Sequence, residues 1–263
     1  MFMNNPNGYY LEENESLAEL IGILLGDGHL HKKGEKSYLG SVLSISLNRI
    51  EESEYVEYVR QLLISLFNEK PKLHVRIDSK SIDLKIYNDQ IIDFMILKGL
   101  LTGDKVKNQI SVPNWIKKDE LWIINNQKNW ELKYRSLVIG CLRGLVDTDG
   151  SIYVDHFNKI IGIGFKNASI SLVHDFKEMC KSLKIRTGKI TESPYISKSS
   201  NKIYIAYQVL IRAKNHVKKF LELIRPKKWE FKREEIEKIL NSLGSSINQA
   251  LKSKYKRKDS CCS

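Results

Sequence analysis

A chain of 263 residues, 42% of them hydrophobic, can bury one large core or two small ones, which excludes a disordered chain and a miniprotein dependent on staples. Lys and Arg number 43 against 31 Asp and Glu, a formal net charge of +12, and this excess favours a polyanionic partner, nucleic acid ahead of an acidic membrane surface. No apolar run approaches the ~18 residues of a membrane span, the opening MFMNNPNGYYLEENE is not a signal peptide, and four cysteines without paired CxxC arms exclude a disulfide framework or a zinc ribbon. An intracellular protein is expected, with Cys141 and Cys180 as small core residues on helices.

Leu17, Leu20, Ile21 and Leu24 recur at i, i+3, i+4 and i+7 and predict a first helix, capped by Asn14 or Ser16. His29 to Gly34 and Ser37 to Leu47 read as a strand pair, and Glu54 to Asn68 as a helix with Tyr55, Val56, Val59, Leu62, Leu63 and Leu66 on one side. In KLHVRID and SIDLKIY every second residue is apolar, which predicts a second strand pair with one apolar face and one polar, charged face. A helix over Asp89 to Leu100 closes this half. Leu101 to Lys133, with Thr-Gly-Asp and Val-Pro-Asn-Trp, is too long and aromatic for a plain linker and is read as an ordered connector. The same order then returns. A helix runs into GLVDTDGSIYV, strands lie near Ser151 to Lys166, and a helix carries Leu172, Val173, Phe176, Met179, Cys180 and Leu183. Strands follow near Thr187 to Ser197 and Lys202 to Arg212, then a helix over Asn215 to Leu223. The expected domains are 1–101, a connector at 102–134, a second half at 135–243 and a basic tail at 244–263 that is expected to be disordered.

The order αββαββα therefore occurs twice, and the copies keep register. Gly28 and Gly150 lie 122 positions apart (150 − 28), and the same offset relates Asp27 to Asp149, Gly26 to Thr148, Gly22 to Gly144 and Ala18 to Gly140. Ala18, Gly22 and Gly26 fall at i, i+4 and i+8, as do Gly140, Gly144 and Thr148. Such a ridge lets another backbone approach closely, at about 1 kcal/mol of helix propensity per Gly. If the two ridges pack together, the helix ends bring Asp27 and Asp149 side by side. The alternative, that each Gly merely ends a helix, accounts for Gly28 and Gly150 but leaves the interior glycines unexplained.

LIGILLGDG (Leu20 to Gly28) and LRGLVDTDG (Leu142 to Gly150) resemble the LAGLIDADG motif, and the resemblance extends over residues 15 to 225. The chain resembles single-chain, two-motif LAGLIDADG homing endonucleases, and its PNW connector is similar to archaeal intron-encoded members. The implied fold is α+β: two pseudo-symmetric halves, each with a curved four-stranded antiparallel sheet, form a DNA-binding saddle joined through the two motif helices. In the first copy Leu25 stands where the second has Asp147; the resemblance assigns the metal-ligand role to the final acid of each motif and a structural role to the earlier one. It therefore implies Asp27 and Asp149 as catalytic metal ligands, with carbonyls of Gly26 and Thr148 beside them. Asn48 and Arg49 in one half, Lys166 and Asn167 in the other, and Lys214, opposite Asn88, take the positions of basic or polar residues around the scissile phosphates. Each of these is equally readable as a phosphate clamp or a solvated turn residue.

The residues point to the same chemistry. Phosphodiester hydrolysis needs a hydroxide-like nucleophile and neutralisation of phosphorane charge, which divalent ions supply. Two carboxylates at two helix C-termini repel each other unless a cation lies between them, and hard Mg2+ favours such oxygens. Mg2+ is the expected cofactor, Mn2+ substituting and Ca2+ binding without supporting cleavage, and two-fold pseudosymmetry predicts a double-strand break, with short 3′ overhangs by resemblance. Base reading is expected from the polar sheet faces: Ser44, Ser46, Lys72, His74, Arg76 and Lys85 in the first half, Lys189, Thr191, Tyr204, Gln208 and Arg212 in the second. Basic loops with Lys32 and Lys33, and with Lys198 and Lys202, suit the ends of a long site. Double-stranded DNA is the expected partner of a monomer. A DNA-binding regulator or an RNA-splicing maturase on intron RNA is the competing reading, against which two retained acids count. The ends of the chain lack an intein's nucleophile and His-Asn, so a freestanding or intron-borne reading frame, acting in intron mobility, is expected.

Overall fold

The computed structural model describes residues 11–34, 40–77, 79–105, 107–117, 127–155, 160–196, 203–231, 233–234 and 237. Helix α1 (Glu15–Gly26) leads into β1 (Gly28–His31) and β2 (Val42–Asn48), then α2 (Ser53–Phe67), β3 (Lys72–Val75), β4 (Ser81–Ile86) and α3 (Asp89–Leu97). The second half repeats this with α4 (Gln127–Asp149), β5 (Gly150–Asp155), β6 (Ile160–Asn167), α5 (Ile170–Ser182), β7 (Thr191–Ile196), β8 (Ile203–Ile211) and α6 (Lys214–Ile224). A short helix, α7 (Lys227–Glu230), ends the described fold. The two sheets are antiparallel with orders β1-β2-β4-β3 and β5-β6-β8-β7, the same topology used twice.

Alternation makes each sheet two-faced. In β2 the inward residues Leu43, Ile45 and Leu47 are buried while Ser44, Ser46 and Asn48 are partly exposed, the period-2 signature of a strand between core and solvent. Ile82, Leu84 and Ile86 of β4 extend the buried side, which packs against α2 and α3. In the second half Ile163, Phe165, Val209 and Ile211 face α5 and α6, and Phe165 stacks on Phe176 with ring centroids 4.4 Å apart. Burying a Phe-sized side chain is worth roughly 2–3 kcal/mol, so these rows hold helices to sheets. Cys141 and Cys180 are buried free thiols, as expected.

The halves meet along α1 and α4. Asn14 caps α1, its Oδ1 accepting from the Leu17 amide at 2.9 Å. A Cβ on Gly22 would land on the Cys141 carbonyl, one on Gly144 on the Glu19 carbonyl, and one on Gly140 on the Glu15 carbonyl. The two small-residue ridges are therefore in backbone-to-backbone contact. Beside them a polar cluster spans both halves. Buried Glu19 accepts from Tyr58 Oη (2.7 Å) and Arg143 (2.8 Å), while Arg143 also donates to Glu15 (2.7 Å) and to the Ile224 carbonyl (2.8 Å). Burial and the Glu19 charge push the Tyr58 hydroxyl well above its ordinary range.

Several details depart from the sequence reading. The first strand pair is shorter than expected, β2 starting at Val42, and α3 stops at Leu97. Helix α4 begins at Gln127, inside the stretch read as connector, because α4 extends well beyond its motif. Strand β3 is an edge strand with apolar alternation without burial: Leu73 is 51% and Val75 50% exposed, and Ile77, in the turn beyond it, is 93% exposed. Strand β7 is likewise an edge strand, which tolerates Pro194. Gly28 and Gly150 take no left-handed conformation, so neither is a helix-ending αL cap. A Cβ there would meet the backbone of Leu24 or Val146, so each lets the chain double back over the last turn of its own helix. The 244–263 tail lies outside the described residues. Among those residues no helix is long and apolar enough to cross a membrane.

Candidate active site

The ridge contact runs to the ends of both helices, where Gly26 meets the Thr148 side chain. One residue further on, Asp27 is the C-cap of α1 and Asp149 the last residue of α4. Asp27 is raised from 3.8 to about 6, first by burial and then by the Asp149 charge. Asp149 is also raised by burial, against the lowering effect of a hydrogen bond from Asn167 Nδ2 at 2.7 Å. Among the described residues no three His, Cys, Asp or Glu side chains gather as a metal cluster, so the centre consists of two carboxylates and the backbone oxygens beside them.

Two lysines absent from the sequence reading supply positive charge here. Lys105, from the segment after α3, directs its ammonium at the last carbonyls of α1: Leu24 (2.8 Å), Leu25 (3.1 Å) and Gly26 (2.6 Å). Burial lowers it to about 8, while Asp149 and Asp27 hold it up. Lys228, on α7, lowers both acids by its charge and pairs with Glu52 at 2.6 Å, its ammonium 5.1 Å from the Tyr55 ring centroid. No periodic pattern marks either residue. The repeat offset does relate Lys105 to Lys227, the chain neighbour of Lys228 (105 + 122 = 227).

Asp147 plays a different part. It is buried and accepts from the backbone amides of Lys227 (2.8 Å) and Lys228 (2.9 Å), so it caps α7 and ties that segment to the motif helix. Burial raises it to about 7 against the pull of those two amides. In the first copy Leu25 is buried, and its carbonyl is one of the three that hold Lys105. Each copy thus anchors the segment following its half, one by a carboxylate on amides and the other by carbonyls on an ammonium.

The remaining expected residues fall in three groups. Asn167 touches Asp149. Its counterpart Asn48 instead caps the turn after β2, accepting from Ile50 and Glu51 amides at 3.1 Å, while Arg49 is exposed beside it. Lys214 is the exposed first residue of α6, and Asn88, opposite it, caps α3 through the Gln90 and Ile91 amides. The reading residues line up across strands. His29, Ser44, Lys85 and Lys72 are successive partners on the polar face of the first sheet, as are Ser46, Asp83 and His74. Arg76 and Ser46 are both held by buried Asp83, at 2.9 and 2.7 Å, so these two side chains are preset by an internal acid. On the second sheet Lys166, Gln208 and Thr191 form one row, and Lys166 lies over the Tyr195 ring, which stacks on Tyr204. Lys189 and Arg212 are exposed at the ends of that face. Lys32 pairs with Asp93, and Lys33 is exposed with its amide on Ser41 Oγ (3.0 Å). Lys198 and Lys202 lie outside the described residues.

Two polar sheet faces flank a pair of acids at the ends of two abutting helices, one arrangement built twice in the chain. Residues 136–225 match the family model of the LAGLIDADG-like domain. Residues 15–97 repeat its elements and topology. Among solved structures, the chain is similar to the homing endonuclease I-DmoI in complex with DNA and Mn (TM-score 0.49, 16% identity, 81% of this chain and 97% of that one). It is also similar to the meganuclease I-SmaMI bound to uncleaveable DNA (TM-score 0.48, 12% identity, 91% and 92% covered). A curated relative, the tRNA-splicing ligase RtcB of Methanopyrus kandleri, is 23% identical over 223 residues, 78% of this chain. The chain spans about one fifth of that protein's length (20%).

Proposed function

We propose that the protein is a site-specific, metal-dependent DNA endonuclease of the homing type. The observation that carries this reading is the pair of partly buried carboxylates, Asp27 and Asp149, at the ends of two helices in backbone contact, with pKa values raised by burial and, at Asp27, by the neighbouring charge. Such a pair is costly to a protein that only binds a polyanion, and suits one that collects cations against it. The donor set fits a hard divalent ion: two carboxylates and the carbonyls of Gly26 and Thr148. Gly26 already accepts from a cation, the Lys105 ammonium. Mg2+ bound there supplies an activated water and charge neutralisation at the scissile phosphate.

The protein's own groups do the rest. Asn167 holds Asp149 in one orientation. Lys105 and Lys228 keep the centre near neutrality. Lys214, Arg49 and Lys166 lie at the margins where phosphates pass, and the two polar sheet faces straddle a duplex, with the rows Ser44–Lys85–Lys72 and Lys166–Gln208–Thr191 toward base edges. Pseudo-two-fold placement of the acids accounts for cutting both strands close together, and two non-identical sheets for a long asymmetric target. Intron mobility and a monomeric state belong to the same reading.

The test is cleavage of a long randomised duplex library with Mg2+, Ca2+ or chelator, sequencing the ends, for the wild type, Asp27→Asn and Asp149→Asn. Mg2+-dependent ends with short 3′ overhangs at one long motif, lost or reduced to nicks by either substitution, are expected. Tight DNA retention without ends under any metal would sink the catalytic reading and promote a regulator or maturase.

A further inference from the structure

The protein carries its own cation at one side of the two-acid centre. The Lys105 ammonium is within 3.1 Å of three successive carbonyl oxygens at the C-terminal end of α1, its shortest contact, 2.6 Å, being to Gly26. These oxygens lack helical partners and bear the negative end of the helix dipole, so an ammonium among them is a strong C-terminal cap. The two helix ends differ in this respect. At α4 the Thr148 hydroxyl turns back to the Gly144 carbonyl (2.9 Å) and Asn167 donates to the Asp149 carboxylate, while among the described residues no lysine ammonium donates to the last carbonyls of that helix.

We propose that Lys105 is a positioning residue that competes with a divalent cation for the Gly26 oxygen. It keeps the α1 end assembled in the metal-free protein and makes the two sides of the centre unequal in metal affinity. The inference rests on the metal-dependent reading of Asp27 and Asp149. Its logic is one of charge: a unit positive charge already on the Gly26 oxygen disfavours a divalent ion that would share that oxygen, while three carbonyls left without an ammonium disfavour the metal-free helix end. Removing the charge should therefore weaken the metal-free fold and strengthen metal binding together. A residue of merely structural value would weaken both.

The experiment compares full-length wild type, Lys105→Met and Lys105→Gln. The readouts are thermal unfolding in EDTA and titration with MnCl2, with free Mn2+ followed by electron paramagnetic resonance. Gln keeps a donor for the carbonyls and so preserves a folded reference should Met destabilise too far. Expected are a lower metal-free Tm, more so for Met than Gln, and Mn2+ affinity raised about tenfold for the tighter-gaining site in both variants. An unchanged Tm in EDTA, or Mn2+ affinity equal to or below wild type in both variants, would overturn the inference. Wild type and variants that all fail to bind Mn2+ would overturn the metal reading beneath it, an outcome distinct from variants that bind as wild type does.

Discussion

Replacing Asp27 with Asn should make the metal-free protein more stable while disabling it. Burial and Asp149 raise Asp27 from 3.8 to about 6, so the folded state holds this proton more tightly than the unfolded chain. The sign follows: the fold is favoured below about pH 4, loses stability as pH rises from about 4 to 6, and bears the full cost of the charge above that. At 1.36 kcal/mol per pKa unit the ceiling is about 3 kcal/mol. Residual solvent contact and the shared titration with Asp149 bring the expectation to about 1–2 kcal/mol. For a chain of this size that is a rise in Tm of roughly 2–8 °C at pH 8. Thermal unfolding in EDTA from pH 4.5 to 8 measures it. Wild type should lose stability across pH 4–6, and Asp27→Asn should lose less. Equal pH slopes, or an Asn variant no more stable at pH 8, would refute the claim that the two acids strain the metal-free centre.

Gly144→Val would drive a side chain into the Glu19 carbonyl of the opposing helix and should destabilise by more than about 3 kcal/mol, read from denaturant unfolding. Arg143→Met leaves Glu19, 2% exposed, without its guanidinium and should cost about 3–5 kcal/mol by the same assay. Asp147→Ala removes the cap of α7 and should cost about 1–2 kcal/mol, with new proteolytic cleavage near Lys227 and Lys228 as its signature. Substituting Lys72 and Lys85 by Met should weaken DNA binding and lower the salt dependence of log Kd by about one unit per lysine.

The fold was legible because its devices are periodic: alternation marked β3 and β4, and the glycine ridges marked the helix interface. The two acids were legible for a related reason, since a repeat that keeps Asp27 and Asp149 in register also places them by symmetry. What was not legible is whatever depends on a contact without a period. Lys105 sits in an irregular segment and acquires its place only through the three carbonyls it finds. Leu73 and Val75 alternate like core residues, yet their strand is the edge of its sheet and both stay exposed. Asn48 and Asn167 end equivalent strands, but one side chain is spent on its own turn and the other on Asp149. The exchange of Leu25 for Asp147 becomes intelligible only once α7 is seen to need an acceptor.

The contact between α1 and α4 has one more effect. Because Gly22, Gly140 and Gly144 press peptide backbone against peptide backbone, the gap between the two acids is gauged by main-chain thickness, which is the same whatever side chains the sheets carry. The spacing is therefore insulated from wear elsewhere. Either sheet can accumulate exchanges on its polar face without shifting the distance between the two acids.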